Sequence, residues 1–250
     1  MNSAHIQIQE NEGILEIVIS RPERKNAFTA EMYAAFAGTL HAAADADRIK
    51  VVIISGQGGN YSTGNDLTDF LQAPPTGEKD PVFQFLRAIA EFPKPLIAAV
   101  EGFAVGVGMT MLLHADLVYA APSAKFQLPF TNLGLVPEAG SSYLLPLLVG
   151  HLKASELCLL GEAIDAETAL KLGIVNDLVA PEELMNVVRA KARIIALKPS
   201  FAVQQTKQLL KGAHMSPLLV QMKKEEGLFL KLLKSPEAIE FIKGFFSRKK

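Results

Sequence analysis

A single cysteine, Cys158, occurs among 250 residues. One thiol cannot close an internal disulfide, which excludes a disulfide-stapled scaffold and fits a reducing compartment. Leu157 and Leu159 flank it, so it reads as an inert core thiol rather than a nucleophile. Long apolar runs are missing too. The stretch from Phe103 to Leu113 is too short to span a membrane and is broken by Gly106 and Gly108. The polar N-terminus carries no secretory pattern. Ser247-Arg248-Lys249-Lys250 is not the Ser-Lys-Leu peroxisomal address, and a cytoplasmic location is the expectation. No Gly-x-Ser-x-Gly elbow is present. His5, His41, His114, His151 and His214 are scattered without metal-ligand spacing, so no metal is expected. Only His114 lies near a glycine turn, and it reads as a core histidine.

Nucleotide-binding loops are absent as well. Gly59 and Gly64 have the spacing of a phosphate-binding loop, but Asn65-Asp66 stands where Lys-Ser is required. An acidic side chain there repels phosphate. A dinucleotide fingerprint beginning at Gly106 needs a third glycine where Met111 stands.

What remains is a globular composition, 49% hydrophobic and 20% charged. A chain of this length buries roughly 70–75% of its unfolded surface. Net charge is −1, unevenly spread: positions 1–190 hold 12 Lys/Arg against 22 Asp/Glu, and positions 191–250 hold 13 against 4. The asymmetry marks a boundary near 190 and a basic tail. That tail presents solvated helix faces, or meets an acidic subunit body or the phosphates of a ligand; no nucleic-acid-binding motif accompanies the charge, so neither nucleic acid nor a membrane is an expected partner.

Hydrophobic patterning predicts an α/β body. His5 to Gln9 and Ile14 to Ser20 read as a hairpin, Thr29 caps a helix to about Ala44, and Val51 to Ser55 is a buried strand. Helices are predicted from Asp66 to Leu71, Pro81 to Glu91, Glu138 to Leu148 and Lys153 to Leu160. Strands are predicted at Leu96 to Val100, Leu117 to Tyr119, Lys125 to Gln127 and Ile174 to Val179. Beyond Pro181 the chain reads as nearly all helix, broken at Pro199, Pro217 and Pro236. Leu218, Met222, Phe229 and Leu232 form an apolar stripe in that region. The expected division is a core at 1–195 and a helical region at 196–250.

Two glycine-punctuated turns carry the chemistry: Tyr61-Ser62-Thr63-Gly64-Asn65-Asp66-Leu67 and Gly102-Phe103-Ala104-Val105-Gly106-Val107-Gly108. Each joins a strand-like run to a helix-like one. Such turns can aim two backbone N–H groups at one point, an oxyanion hole for a reacting carbonyl. Glu138 follows the largely apolar Leu133-Gly134-Leu135-Val136-Pro137. A carboxylate at a helix N-terminus has a plain structural reading. Facing an apolar cavity, however, it is desolvated and its pKa rises, which suits removal of a carbon-bound proton. Asp66 and Asp69 read as helix caps or surface charges.

Both glycine turns, with the segment Ala124-Lys125-Phe126-Gln127-Leu128-Pro129 through Gly140, resemble the enoyl-CoA hydratase/isomerase (crotonase) superfamily over about Ile14 to Val179. The resemblance implies a spiral of ββα units, with a C-terminal helical region used for trimerisation. It implies oxyanion donors at the N–H groups of Asn65 and Val107, beside Gly64 and Gly106. Hydratases of the family use two glutamates, and Thr110 and Phe130 stand at those positions, so classical hydration is not expected. Glu138 instead matches the single catalytic glutamate of Δ3,Δ2-enoyl-CoA isomerases. The expected reaction is isomerisation of 3-enoyl-CoA to trans-2-enoyl-CoA, in a pocket lined by Phe130 and Leu135. Arg24, Lys25, Phe241 and Lys243 are the candidates for holding coenzyme A, which enters as part of the substrate; no separate cofactor is expected. The expected assembly is a trimer or a pair of trimers. Another crotonase activity, hydratase or acyl-CoA hydrolase, stays open as the alternative, as does a non-catalytic CoA-binding subunit.

Overall fold

The computed structural model describes residues 3–247. In chain order the elements are β1 (Ile6–Asn11), β2 (Ile14–Ile19), α1 (Ala30–Asp45), β3 (Val51–Gly56), α2 (Leu67–Gln72), α3 (Pro81–Glu91), β4 (Leu96–Val100), β5 (Phe103–Val105) and α4 (Val107–Thr110). There follow β6 (Leu117–Ala120), β7 (Lys125–Gln127), α5 (Ser141–Val149), α6 (His151–Leu160), β8 (Ile164–Asp165), α7 (Ala166–Lys171), β9 (Asp177–Leu178), α8 (Pro181–Ala196), α9 (Ser200–Leu233) and α10 (Pro236–Ser247). A six-stranded sheet has the order β1-β2-β3-β4-β6-β9, and a three-stranded sheet the order β5-β7-β8. Among the described residues only the β1–β2 and β7–β8 pairs are antiparallel.

The central parallel strands β3 and β4 are buried on both faces, which is why they read as unbroken apolar runs. Val52 and Ile54 point into the main core, while Val51 and Ile53 face a second layer built with Leu184, Val188, Ala192 and Ala196 of α8. Glu16 on β2 fastens that layer by a two-pronged ion pair with Arg189, at 2.7 and 2.8 Å. Thr29 caps α1 by accepting from Met32 N–H. Within the main core Phe28, Tyr33, Phe36 and Phe85 cluster, with ring centroids 4.8–6.2 Å apart in stacked and tilted pairs. Phe229, Leu233, Ala238 and Ile242 of α9 and α10 join the same core.

Three expectations are corrected. The helix expected from Glu138 begins at Ser141, because Ala139 (φ 61°) and Gly140 (φ 70°) adopt left-handed backbone. The strand expected over Ile174 to Val179 shrinks to Asp177–Leu178. The amides of Ile174 and Val175 instead close α7 on Ala169 O, at 2.9 and 3.3 Å. Pro217 does not break the tail: α9 runs through it for 34 residues. Pro217 and Ala213, whose carbonyl loses its donor, both lie exposed, so water can satisfy the freed group.

Candidate active site

The two glycine turns lie backbone against backbone. Ser62 N–H donates to Phe103 O at 2.8 Å and Val105 N–H returns to Ser62 O at 2.9 Å. Gly64 (φ +87°) packs so closely that a Cβ there would stand 2.7 Å from Val105 O; one on Gly108 would stand 2.5 Å from Ser62 O. Only glycine fits such an approach. On the other side of the first turn, Phe28 N–H donates to Gly64 O and Asp66 N–H donates to Phe28 O, both at 2.8 Å. This bridge uses the groups on either side of Asn65 N–H and leaves that donor directed away from Phe28. In the second turn Gly106 N–H is taken by Gln127 O at 3.0 Å, and Val107 then opens α4 as its first residue. Among the described residues neither Asn65 N–H nor Val107 N–H donates within the chain.

Glu138 sits in the loop before α5 and is 4% exposed. Its Oε1 accepts from Thr110 Oγ1 at 2.5 Å, one turn along the helix that Val107 opens. Its Oε2 is buried without a partner among the described residues. Burial pushes the carboxyl up to about 8; the nearby Glu225 carboxylate adds to the rise and the Thr110 hydroxyl opposes it. Tyr33 OH donates to Asn65 Oδ1. Burial first, then the charge of Glu138, raises the Tyr33 phenol well above its ordinary value. His114 donates from Nε2 to Ala139 O at 2.7 Å. Burial, with the Lys211 charge, pushes its pKa down to about 4, so the ring is a neutral brace for the Glu138 loop. Thr110→Val removes the bond that favours the ionised carboxyl. It is expected to move the Glu138 titration upward by about one to two pH units, from about 1.5–3 kcal/mol for a charged hydrogen bond, measured by NMR of ¹³C-labelled glutamate carboxyls.

Beside the glycine turns opens a cleft of about 1060 Å³. Arg24, Lys25, Gly64, Asn65, Gly106, Phe130, Leu135 and Phe241 line it. The Lys25 ammonium lies 4.6 Å from the centre of the Phe103 ring at this mouth. Lys243 is exposed and stands outside the lining residues. Val107 is fully buried behind Gly106. Glu138 does not line the cleft; it faces a separate space of about 40 Å³ between α3 and α9. Asp66 caps α2 through Thr68 N–H and pairs with Arg21 at 2.8 Å. Asp69 accepts from Ala30 N–H at 2.9 Å. Asp66 thus caps α2, as the sequence reading allows, while also lining the cleft. Half-buried Cys158 has its thiol pushed up to about 11 by burial, which keeps it inert.

One residue escaped the sequence reading. Glu225 is 4% exposed on the buried stripe of α9, between Leu218 and Met222 on one side and Phe229 on the other. The signal was present: a charged residue at helical spacing within an apolar stripe is a buried charge, and buried charges have partners.

The enoyl-CoA hydratase/isomerase family model matches residues 9–250. The solved structure of Pseudomonas aeruginosa OdaA is 40% identical with a TM-score of 0.95, covering 97% of this chain and 99% of that one. A 1,2-epoxyphenylacetyl-CoA isomerase of Escherichia coli is 33% identical over 95% of this chain and 93% of its own length. Human enoyl-CoA delta isomerase 2 is 32% identical over 97% of this chain, which spans 63% of that protein's length. Fold, glycine turns and similarity agree: the chain belongs to the enoyl-CoA hydratase/isomerase (crotonase) superfamily.

Proposed function

We propose that the chain isomerises 3-enoyl-CoA to trans-2-enoyl-CoA. The thioester carbonyl is held between the N–H groups of Asn65 and Val107. Glu138 removes a proton from C2, the electrons move into a dienolate stabilised by the two donors, and the same carboxyl returns a proton to C4. The observation that carries this reading is the buried Glu138 carboxyl, bonded through Thr110 to the short helix that Val107 opens. Burial lifts it toward the range of a working base. Thr110 and Phe130, at the positions of the hydratase glutamates, offer no second base for water. The reading requires the bound acyl chain to bring C2 from the cleft to Glu138, which lines the separate small space. Arg24, Lys25 and Phe241 at the mouth then hold the coenzyme A portion, with Lys243 in reach of its phosphates.

The test is direct. Purified protein is given 3-hexenoyl-CoA and crotonyl-CoA in parallel. Isomerisation well above hydration, lost in Glu138→Gln, is the expected result. Crotonyl-CoA hydration as the faster reaction points to a hydratase, and acyl-CoA binding without turnover to a silent subunit.

A trimer, or a pair of trimers, is part of the proposal. Its support is the large apolar side chains left in water: Leu152 is 84% exposed, Phe201 76%, Leu209 82% and Leu210 75%. Light scattering is expected to give three or six times the chain mass; a monomer at micromolar concentration contradicts it.

A further inference from the structure

Glu225 reaches from α9 into the loop that carries Glu138. Its Oε2 accepts from Gly140 N–H at 2.6 Å, and its Oε1 accepts from Ser142 N–H at 2.9 Å and from Ser142 Oγ. It thereby supplies, from 83 to 85 residues away in sequence, the N-terminal cap that Gly140 cannot provide for α5. Such a cap is normally the residue at the helix start. Here the cap is borrowed, so α9 and the base loop are held in one geometry. Glu138 and Glu225 also line the same 40 Å³ space. We propose that Glu225 is a positioning residue for Glu138: it clamps the loop by capping α5, and its charge faces the base across a small shared cavity. This rests on Glu138 being the base.

Other groups face the pair and set the background against which it titrates. Around Glu138 stand Tyr33 from α1, Thr110 from α4, and His114 on the Ala139 carbonyl. Across the cavity are Glu78, Arg87 of α3, and Lys223 and Glu226 of α9. Glu225 itself meets Ser142, and its charge raises Cys158 on α6. Lys223 is committed to Glu78 at 3.3 Å. Glu225 is 4% exposed and pairs with no cation among the described residues, so amide and hydroxyl donors are its partners and its charge is felt by Glu138. The direction is the same on both: burial raises Glu225 as well.

Two variants separate clamp from charge. Glu225→Gln removes the charge and keeps an acceptor for one of the two amides that Glu225 holds. Glu225→Ala removes the charge and every acceptor. Selective ¹³C labelling of glutamate carboxyls follows the Glu138 titration by NMR whether or not the protein turns over. That readout keeps a failure of this proposal distinct from a failure of the isomerase reading. In Glu225→Gln the Glu138 midpoint is expected to fall by about one pH unit, the size of a like-charge interaction across a gap and well below that of two charges in contact. The acidic limb of kcat/KM for 3-hexenoyl-CoA moves with it. In Glu225→Ala, kcat is expected to fall by roughly ten- to a hundred-fold with KM within a few-fold, because a loosened base loses its alignment. A Glu138 midpoint unmoved in Glu225→Gln overturns the proposal. So does a loss in Glu225→Ala that only follows the fraction of folded protein.

Discussion

Glu138→Gln is expected to lower isomerisation of 3-hexenoyl-CoA by about 10²–10⁴-fold and, in the same protein, to raise stability in alkaline solution. The two effects share one cause. The folded chain holds the Glu138 proton up to about pH 8, whereas the ordinary carboxyl value is 4.5. Between these values the folded state binds a proton that the unfolded state has released. Stability therefore falls as pH rises through the window, by about 1.4 kcal/mol per unit where the difference is complete. Above pH 8 the buried carboxylate is charged and its full cost is present. Gln carries no such charge. Its advantage is absent below about pH 4.5, grows across the window and levels off above 8 at an order of a few kcal/mol. Thermal unfolding of both proteins at pH 6 and pH 9 measures it; parallel pH dependence contradicts a buried, raised carboxyl. In the wild type, kcat/KM is expected to climb about tenfold per pH unit until near 8 and then flatten.

Gly64→Ala is expected to cost about 10²–10³ in kcat, the loss of one oxyanion donor. Two penalties meet at this position. The backbone is left-handed at φ +87°, and the new methyl would stand 2.7 Å from Val105 O. Relief comes only by separating the two turns that place Asn65 N–H and Val107 N–H. Gly59→Ala is the matched control. Its φ is +70° and nothing lies within 4 Å of the added Cβ, so it carries the backbone penalty, about 1–3 kcal/mol, without the collision. It is expected to keep kcat within a few-fold. Steady-state kinetics on the two variants, with circular dichroism to establish folding, decides the matter; equal losses contradict the role given to the turns.

The centre of the sheet was legible because its strands are apolar on both faces, from Val51 to Ser55 and from Leu96 to Val100. The glycine turns were legible because two backbones can approach that closely only through glycine. Hairpin, caps and the Pro81 helix followed from local chemistry alone. What failed did so for long-range reasons. The start of α5 moved from Glu138 to Ser141 because the cap comes from Glu225, distant in sequence and unseen by any local pattern. The continuity of α9 through Pro217 depends on the core that Leu218, Phe229 and Leu233 enter, which outweighs one lost hydrogen bond. Thr110 was read only as a residue unable to act as a base. Its hydroxyl turns out to hold the Glu138 carboxyl, a contact between positions 28 residues apart. The unpartnered Oε2 of Glu138 follows from folding too, since sequence alone does not say which oxygen is satisfied.

The stereochemical course of the reaction bears most directly on a one-carboxyl shuttle. Two substrates serve: 3-hexenoyl-CoA carrying deuterium at one face of C2, and unlabelled substrate turned over in deuterated water. NMR of the products reports which C2 hydrogen is lost and on which face C4 gains its own. Proton removal and delivery on the same face of the dienolate is the expected result, whether or not the proton exchanges with solvent between the steps. Delivery to the opposite face requires a second acid across the substrate and contradicts the assignment of both steps to Glu138.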